Sequence, residues 1–237
     1  MIQFVTETGS TNADLAARQR AGEFLVEGDW LVADRQTAGR GRHGREWFDG
    51  LGNFMGSTLV HARPGDPAFP SLALAAGLAL QQVIAVHVPA ALLKWPNDVM
   101  AGTAKLAGIL LERQGDAVLV GIGVNLVSAP QIPDRLTAAL ADFATAPDRD
   151  TFAASLARQF DIEIERWRNF GIAPIVARWL AAAHPQGTLL SVGEPGEEPL
   201  NGVFAGLTDD GALLLRLADG GTRAIHAGEV RFADPDR

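Results

Sequence analysis

Two hydrophobic periodicities alternate along this chain. Thr151–Arg168 carries Phe152, Leu156, Phe160, Ile164 and Trp167 at three- and four-residue steps, the spacing of one buried helical face. Pro174–Ala183 predicts a shorter helix, and Ser71–Val86 is apolar nearly all round, as in a helix buried on every side. Ala13–Arg18 consists of good helix formers, with Ser10, Thr11 or Asn12 as its cap and Gly22 as its stop. Strand-like runs fill the spaces between: Val5–Thr8, Asp29–Gln36, Asn53–Val60, Ala91–Trp95 (halted by Pro96-Asn97-Asp98), Lys105–Glu112 and Val118–Asn125. A proline-punctuated loop covers Ser128–Asp134. From Thr188 the pattern becomes short β-runs separated by Asp209-Asp210-Gly211 and Asp219-Gly220-Gly221, which are hairpin signals. The expected architecture is α+β: interspersed strands and helices over residues 1–184, then a small β-barrel over 187–237.

Composition narrows the chemistry. The chain has 237 residues, 47% of them hydrophobic, enough for a sizeable core. It contains no cysteine, which excludes disulfides, thiolate metal sites and a cysteine nucleophile. The first residues lack the charged start and apolar run of a signal peptide, and the longest apolar stretch, Phe69–Val88, is interrupted by Pro70, Gly77, Gln81 and Gln82. A cytoplasmic protein with no membrane partner is expected. The net charge of −8 disfavours non-specific nucleic-acid binding.

Against that acidic background the nine residues Gly39–Trp47 stand out. Arg40, Arg42, Arg45 and His43 are spaced by Gly39, Gly41 and Gly44. Glycine lets a backbone approach a ligand closely, and arginine offers a planar fork of donors matched to phosphate and carboxylate oxygens. The stretch reads as a polyanion cradle, or as a basic solvated turn. It also satisfies G-x-G-x-x-G, but a turn-rich segment leading into a strand follows it, where a dinucleotide fold needs a helix. Of 20 basic residues only Lys94 and Lys105 are lysine, and both fall within twelve positions. That clustering suggests sites where a compact ammonium serves and a guanidinium does not.

Five stretches in this order, Gly9-Ser10-Thr11-Asn12, Gln36 with the arginine loop, KWPND (94–98), KLAGIL (105–110) and GIGVN (121–125), resemble the biotin protein ligases. The resemblance runs from about Thr6 to Asn125 and more weakly over the C-terminal region. It implies a catalytic domain built as a mixed sheet packed on helices, an SH3-like C-terminal barrel and a two-step reaction. Biotin and ATP, with magnesium, would give biotinyl-5′-adenylate and pyrophosphate, and a lysine of the carrier domain of acetyl-CoA carboxylase or a related carboxylase would then take the biotin. The resemblance also implies the site. Ser10, Thr11, Asn12 and Gln36 would hold the ureido ring, with Gly39, Arg40, Gly41, Arg42, Lys105 and Gly108 around the rest of biotin. Arg42, Arg45, Trp47, Lys94, Asn97, Asp98 and Asn125 would face the nucleotide. Lys105, Arg40 and Arg42 are the candidate catalytic groups. Magnesium would enter on the ATP phosphates, with Asp98 its candidate protein contact.

Three assignments stay open. Asp98 reads equally as a turn residue after Pro96. Trp47 either packs on the adenylate or anchors the loop, and Asn125 either faces the ligand or ends a strand. His43 stands where many members of the resembled family carry arginine. Ser10-Thr11-Asn12 begins ten residues from the start, so no DNA-binding helix-turn-helix and no repressor function are expected. A monomer or a homodimer fits equally. The rivals are a lipoate–protein ligase of the same superfamily and a non-catalytic phosphate- or nucleotide-binding module.

Overall fold

The computed structural model describes residues 1–133, 135–194 and 198–233; Asp134 of the expected loop and the last four residues of the expected 187–237 unit lie outside that range. The main sheet has seven strands in the order β1-β2-β3-β7-β6-β5-β4: β1 (Ile2–Thr8), β2 (Trp30–Gln36), β3 (Phe54–His61), β4 (Ala91–Lys94), β5 (Asp98–Ala101), β6 (Ala104–Gln114) and β7 (Ala117–Val124). Only β1 and β2 pair in parallel, so the sheet is mixed, as expected.

Alternation along the strands sorts side chains between the two faces. Val60, Val118, Val120, Ile122 and Val124 join the large core. There they meet α2 (Leu72–Ala85), whose apolar circumference is sandwiched between sheet and α3 (Arg149–Phe170). The five apolar positions read from the spacing of α3 are all buried. Asp148 caps α3 by accepting from the amides of Asp150 and Thr151. Then α4 (Ile172–Ala182) begins two residues before its expected start, with Pro174 in the first turn, where its missing N–H costs nothing. Glu163 of α3 is fully buried and accepts from Arg178 of α4, Arg166, Gln82 and Gln159.

The opposite face carries α1 (Thr11–Arg20), where Leu15 packs with Leu31, Leu59 and Leu119. Ser10 is the N-cap, so Thr11 and Asn12 fall in the first helical turn and are buried against the sheet. Beyond α1 on this face the residues become small or polar. Ser57 of β3, Gly121 and Gly123 of β7, Gly108 of β6, Asp98 of β5 and Lys94 of β4 continue the same alternation and floor a cleft of about 910 Å³.

The strand β5 is absent from the sequence reading. Pro96-Asn97-Asp98 breaks the apolar run, but the break is a tight reversal around the cis Trp95–Pro96 peptide, and Asp98 pairs at once with Lys94. A second irregularity matters more. Val99 pairs with Ala107 but Met100 pairs with Lys105, leaving Leu106 as an extra residue. In unbroken alternation Lys105 would share the core-facing side of Ala107. The bulge turns it toward the cleft, beside Asp98 and Gly108.

The C-terminal strands β8 (Leu189–Gly193), β9 (Leu200–Leu207), β10 (Leu213–Arg216), β11 (Thr222–Ile225) and β12 (Glu229–Phe232) form an antiparallel sheet ordered β11-β10-β9-β8-β12. This order is compatible with the SH3-like unit expected, although its edge strands do not pair with each other to close a barrel among the described residues. Trp179 meets Phe204 at 6.4 Å between ring centres, and the Trp95 indole donates to the Gly211 carbonyl at 3.1 Å. These contacts seat the small sheet beside β4.

Candidate active site

One end of the cleft is a polar slot. Gln36 ends β2, and its Oε1 accepts from the Thr11 amide at 2.8 Å and the Thr11 hydroxyl at 3.1 Å. The Thr11 hydroxyl meets the Ser57 hydroxyl at 2.6 Å, and Ser57 donates to Asn12 Oδ1, also at 2.6 Å. Asn12 in turn donates to Glu112. All four polar residues are buried and satisfied through one another, as buried polar groups must be. Asp49 clamps the slot from outside, accepting from the Gln36 amide and from Arg35. Gly39 lies behind Gln36 and Trp47, where an added Cβ would sit 3.1 Å from Gln36 Nε2.

The middle of the floor is paved with glycine. Gly108 and Gly123 are cross-strand partners, and the Trp47 indole rests on them. A Cβ at Gly123 would fall 2.2 Å from Trp47 Cε2, and one at Gly108 would fall 2.8 Å from Lys105 Nζ.

The far end is ionic. Asp98 sits between two ammonium groups, with Lys105 Nζ 2.5 Å from Oδ1 and Lys94 Nζ 3.4 Å from Oδ2. Lys94 also donates to the Val230 carbonyl at 3.0 Å. Burial pushes the Asp98 carboxyl up, but Lys105 and Lys94 outweigh it and hold it below the usual carboxylate range. Burial pushes Lys94 down, with Asp98 opposing.

The arginine loop folds over this end. Gly41 donates to the Arg45 carbonyl and Trp47 to the Gly39 carbonyl, pinching the loop at its base. Its tip passes through His43 at φ 57°, with Nδ1 3.8 Å from Glu194. Arg42 donates to Asn97 Oδ1 at 3.1 Å and to the Gly228 carbonyl at 3.0 Å; burial pushes its guanidinium down from its ordinary value. Arg45 pairs with Glu229, which also receives Arg135 at 2.8 Å. Arg40 is exposed at the rim. Asn97 spends its amide on the Ile109 carbonyl, and Asn125 spends its own on the carbonyls of Ala138 and Lys105. Asn125 therefore ties the start of β6 to the 130–138 segment while lining the cleft.

Thus Ser10, Thr11, Asn12, Gln36, Arg40, Gly41, Arg42, Arg45, Trp47, Lys94, Asn97, Asp98, Lys105, Gly108 and Asn125 all border one cavity. Sequence reasoning passed over Ser57, Arg135 and Glu229, which border it too. Ser57 sits in an apolar strand, and its only signal is a hydroxyl on the face opposite the core. Arg135 and Glu229 lie far from the motifs and join the site only through tertiary folding.

A resident magnesium does not fit this donor set. No group of three or more Asp, Glu or His side chains suited to a metal occurs among the described residues, and each oxygen of Asp98 already faces an ammonium. No helix of the described chain is long and apolar enough to cross a membrane.

A slot of fixed donors and acceptors, an apolar middle and a cationic end suit a ligand with a polar ring, an aliphatic tail and an anionic terminus. Known proteins carry the same arrangement of elements. Residues 5–126 match the biotin/lipoate A/B protein ligase family, and residues 192–232 match the biotin protein ligase C-terminal domain. The chain is 39% identical to the biotin--[acetyl-CoA-carboxylase] ligase of Mycobacterium tuberculosis, over 97% of this chain and 88% of that protein. It is 38% identical to the enzyme of the same name from Paracoccus denitrificans, over 96% and 99%. The solved biotin protein ligase of Aquifex aeolicus in complex with biotin and ATP shares the fold with a TM-score of 0.85 and 25% identity, over 98% of this chain and 99% of that one. Motifs, geometry and these matches agree that the chain belongs to the biotin/lipoate A/B protein ligase family.

Proposed function

We infer that this chain is a biotin--[acetyl-CoA-carboxylase] ligase, which activates biotin with ATP and transfers it to a carrier lysine. The observation that carries the reading is the single cleft joining the Thr11–Gln36–Ser57 slot to the Lys105–Asp98–Lys94 cluster.

In this reading the ureido ring of biotin enters the polar slot. Its valeryl tail runs alongside the Trp47 indole that the glycine floor supports, and its carboxylate meets Lys105. ATP brings its phosphates, with magnesium bound to them as part of the substrate, under Arg42, Arg45 and Arg40. Lys105 and the arginines neutralise the approach of carboxylate to polyphosphate, which is otherwise a meeting of like charges. A carboxylate oxygen of biotin bonds to the α-phosphorus, and pyrophosphate leaves with the electron pair of the broken P–O bond. The loop and Trp47 then exclude water from the mixed anhydride. The neutral amine of the carrier lysine attacks the acyl carbon and AMP departs. Residues 1–184 act as the catalytic unit, and 187–237 cap the phosphate end through Gly228 and Glu229. ATP supply and a cysteine-free chain fit a cytoplasmic location.

The slot also separates biotin from lipoate. A ureido ring can exchange hydrogen bonds with the Thr11, Gln36 and Ser57 groups, whereas a dithiolane ring can make none with them and draws no binding energy from the slot. Pyrophosphate exchange into ATP tests the choice: it must depend on biotin. Exchange driven by lipoate and not by biotin contradicts the reading.

A further inference from the structure

We propose that Asp98 is a positioning residue that keeps the enzyme from acylating itself: its carboxylate bridges Lys94 and Lys105 and engages both amines in ion pairs beside the activated acyl group. The inference rests on the reading above and adds a hazard that the reading creates. The chain's only two lysines sit in the cleft where a reactive anhydride is made. Their side chains are only 15% and 16% exposed, and both reach the same carboxylate. A neutral ε-amine at Lys105 would compete with the carrier lysine. Its nitrogen would bond to the biotinyl carbonyl carbon and the acyl C–O bond to phosphate would break. AMP would leave with the electron pair, and the amine's extra proton would pass to water. The product, a biotinylated active-site lysine, would be dead. An ammonium has no lone pair and cannot react in this way.

The surroundings make the hazard specific. Around the pair, Arg42 and Arg135 add positive charge, His184 adjoins Lys94, and Glu229 is already shared by Arg45 and Arg135. Burial, Lys105 and Arg135 favour loss of the Lys94 proton, and Asp98 is the carboxylate in contact with both amines. Burial already pushes Lys94 down, against Asp98's opposing charge. Removing the Asp98 charge takes away the contact that opposes loss of the Lys94 proton. Elsewhere the chain uses arginine for every positive charge, so these are the only side-chain amines that need protecting.

The test supplies preformed biotinyl-5′-adenylate, so that defects in the first step do not interfere, and omits the carrier. Adduct is read by intact mass and peptide mapping, with Nα-acetyllysine in solution as the reference amine. Wild type at pH 7.5 should bind the adenylate and stay unmodified at Lys94 and Lys105. Asp98→Asn should acquire biotin on one of them at least about tenfold faster, and Asp98→Asn combined with Lys105→Arg should lose any adduct at Lys105. Should Asp98→Asn fail to fold, wild type taken to alkaline pH decides: adduct must then appear on the same lysines. The proposal is overturned if wild type is modified at pH 7.5 as fast as Nα-acetyllysine. It is equally overturned if folded, adenylate-bound Asp98→Asn stays unmodified, or if wild type stays unmodified at a pH where the free amine reacts. Wild type that neither binds the adenylate nor passes biotin to a carrier domain would sink the ligase reading itself, and this inference with it.

Discussion

Trp47 rests on Gly123 so closely that a single methyl group at that glycine would lie 2.2–2.6 Å from three atoms of the indole. The arginine loop thus reaches the sheet floor through one aromatic ring, and the floor is shaped to receive it. Gly123→Ala should push Trp47 off the floor. Overpacking of this kind costs about 1–3 kcal/mol, or roughly a ten- to hundredfold loss of biotin affinity. Calorimetric titration with biotin checks this, and unchanged affinity would show that the indole does not cover the ligand.

Lys105→Ala should retain the fold, because the ammonium lies in an open cleft and not in the core. It should lose about a hundred- to a thousandfold in adenylate formation, the range seen when a preorganised charge partner is removed. Near-normal pyrophosphate exchange in the folded variant would take Lys105 out of the first step.

Glu229 receives Arg45 from the loop and Arg135 from the 130–138 segment, so one carboxylate of the C-terminal sheet anchors two walls of the cleft. Hydrogen bonds to a charged group are worth about 1.5–3 kcal/mol. Glu229→Gln should therefore loosen the loop and speed AMP release in the absence of acceptor by about tenfold, as water reaches the anhydride. Unchanged AMP release would mean that the loop holds without this anchor.

A stability prediction lies away from the cleft. Burial pushes the Glu163 carboxyl up, but Arg178 outweighs it and holds the group below the usual carboxylate range. Its stabilising contribution is therefore present above the unfolded value of about 4.3 and is lost as pH falls through the lower folded value. Glu163→Gln should cost about 1–3 kcal/mol at pH 7 and should flatten the fall in stability below about pH 4. Urea unfolding at pH 3.5 and pH 7 measures both, and an equal loss at the two pH values would contradict the assignment.

Much of this site was legible because motif residues are close in sequence to the strands that carry them. Ser10 to Asn12 open a helix, Gln36 ends a strand, and the glycines of 121–123 mark a floor without side chains. The orientation of Lys105 was not legible. It depends on the bulge at Leu106, whose residue type carries no bulge signal and whose existence depends on pairing with β5. The strand β5 itself was hidden because a proline run reads as a stop, whether the chain leaves the sheet or reverses within it. Asp98 read equally as turn or site because its role appears only when Lys94 and Lys105 arrive from two other strands. Glu229 and Arg135 were invisible for a similar reason, since nothing local distinguishes them from surface charges.

Activation of biotin in this cleft and its transfer to a protein lysine can be read in one experiment. The most direct measurement is the intact mass of a carboxylase carrier domain incubated with this protein, ATP, magnesium and either biotin or lipoate. One biotinyl group should be added to the carrier with biotin, and none with lipoate or without ATP. A carrier unchanged by biotin, or one modified by lipoate alone, would contradict it.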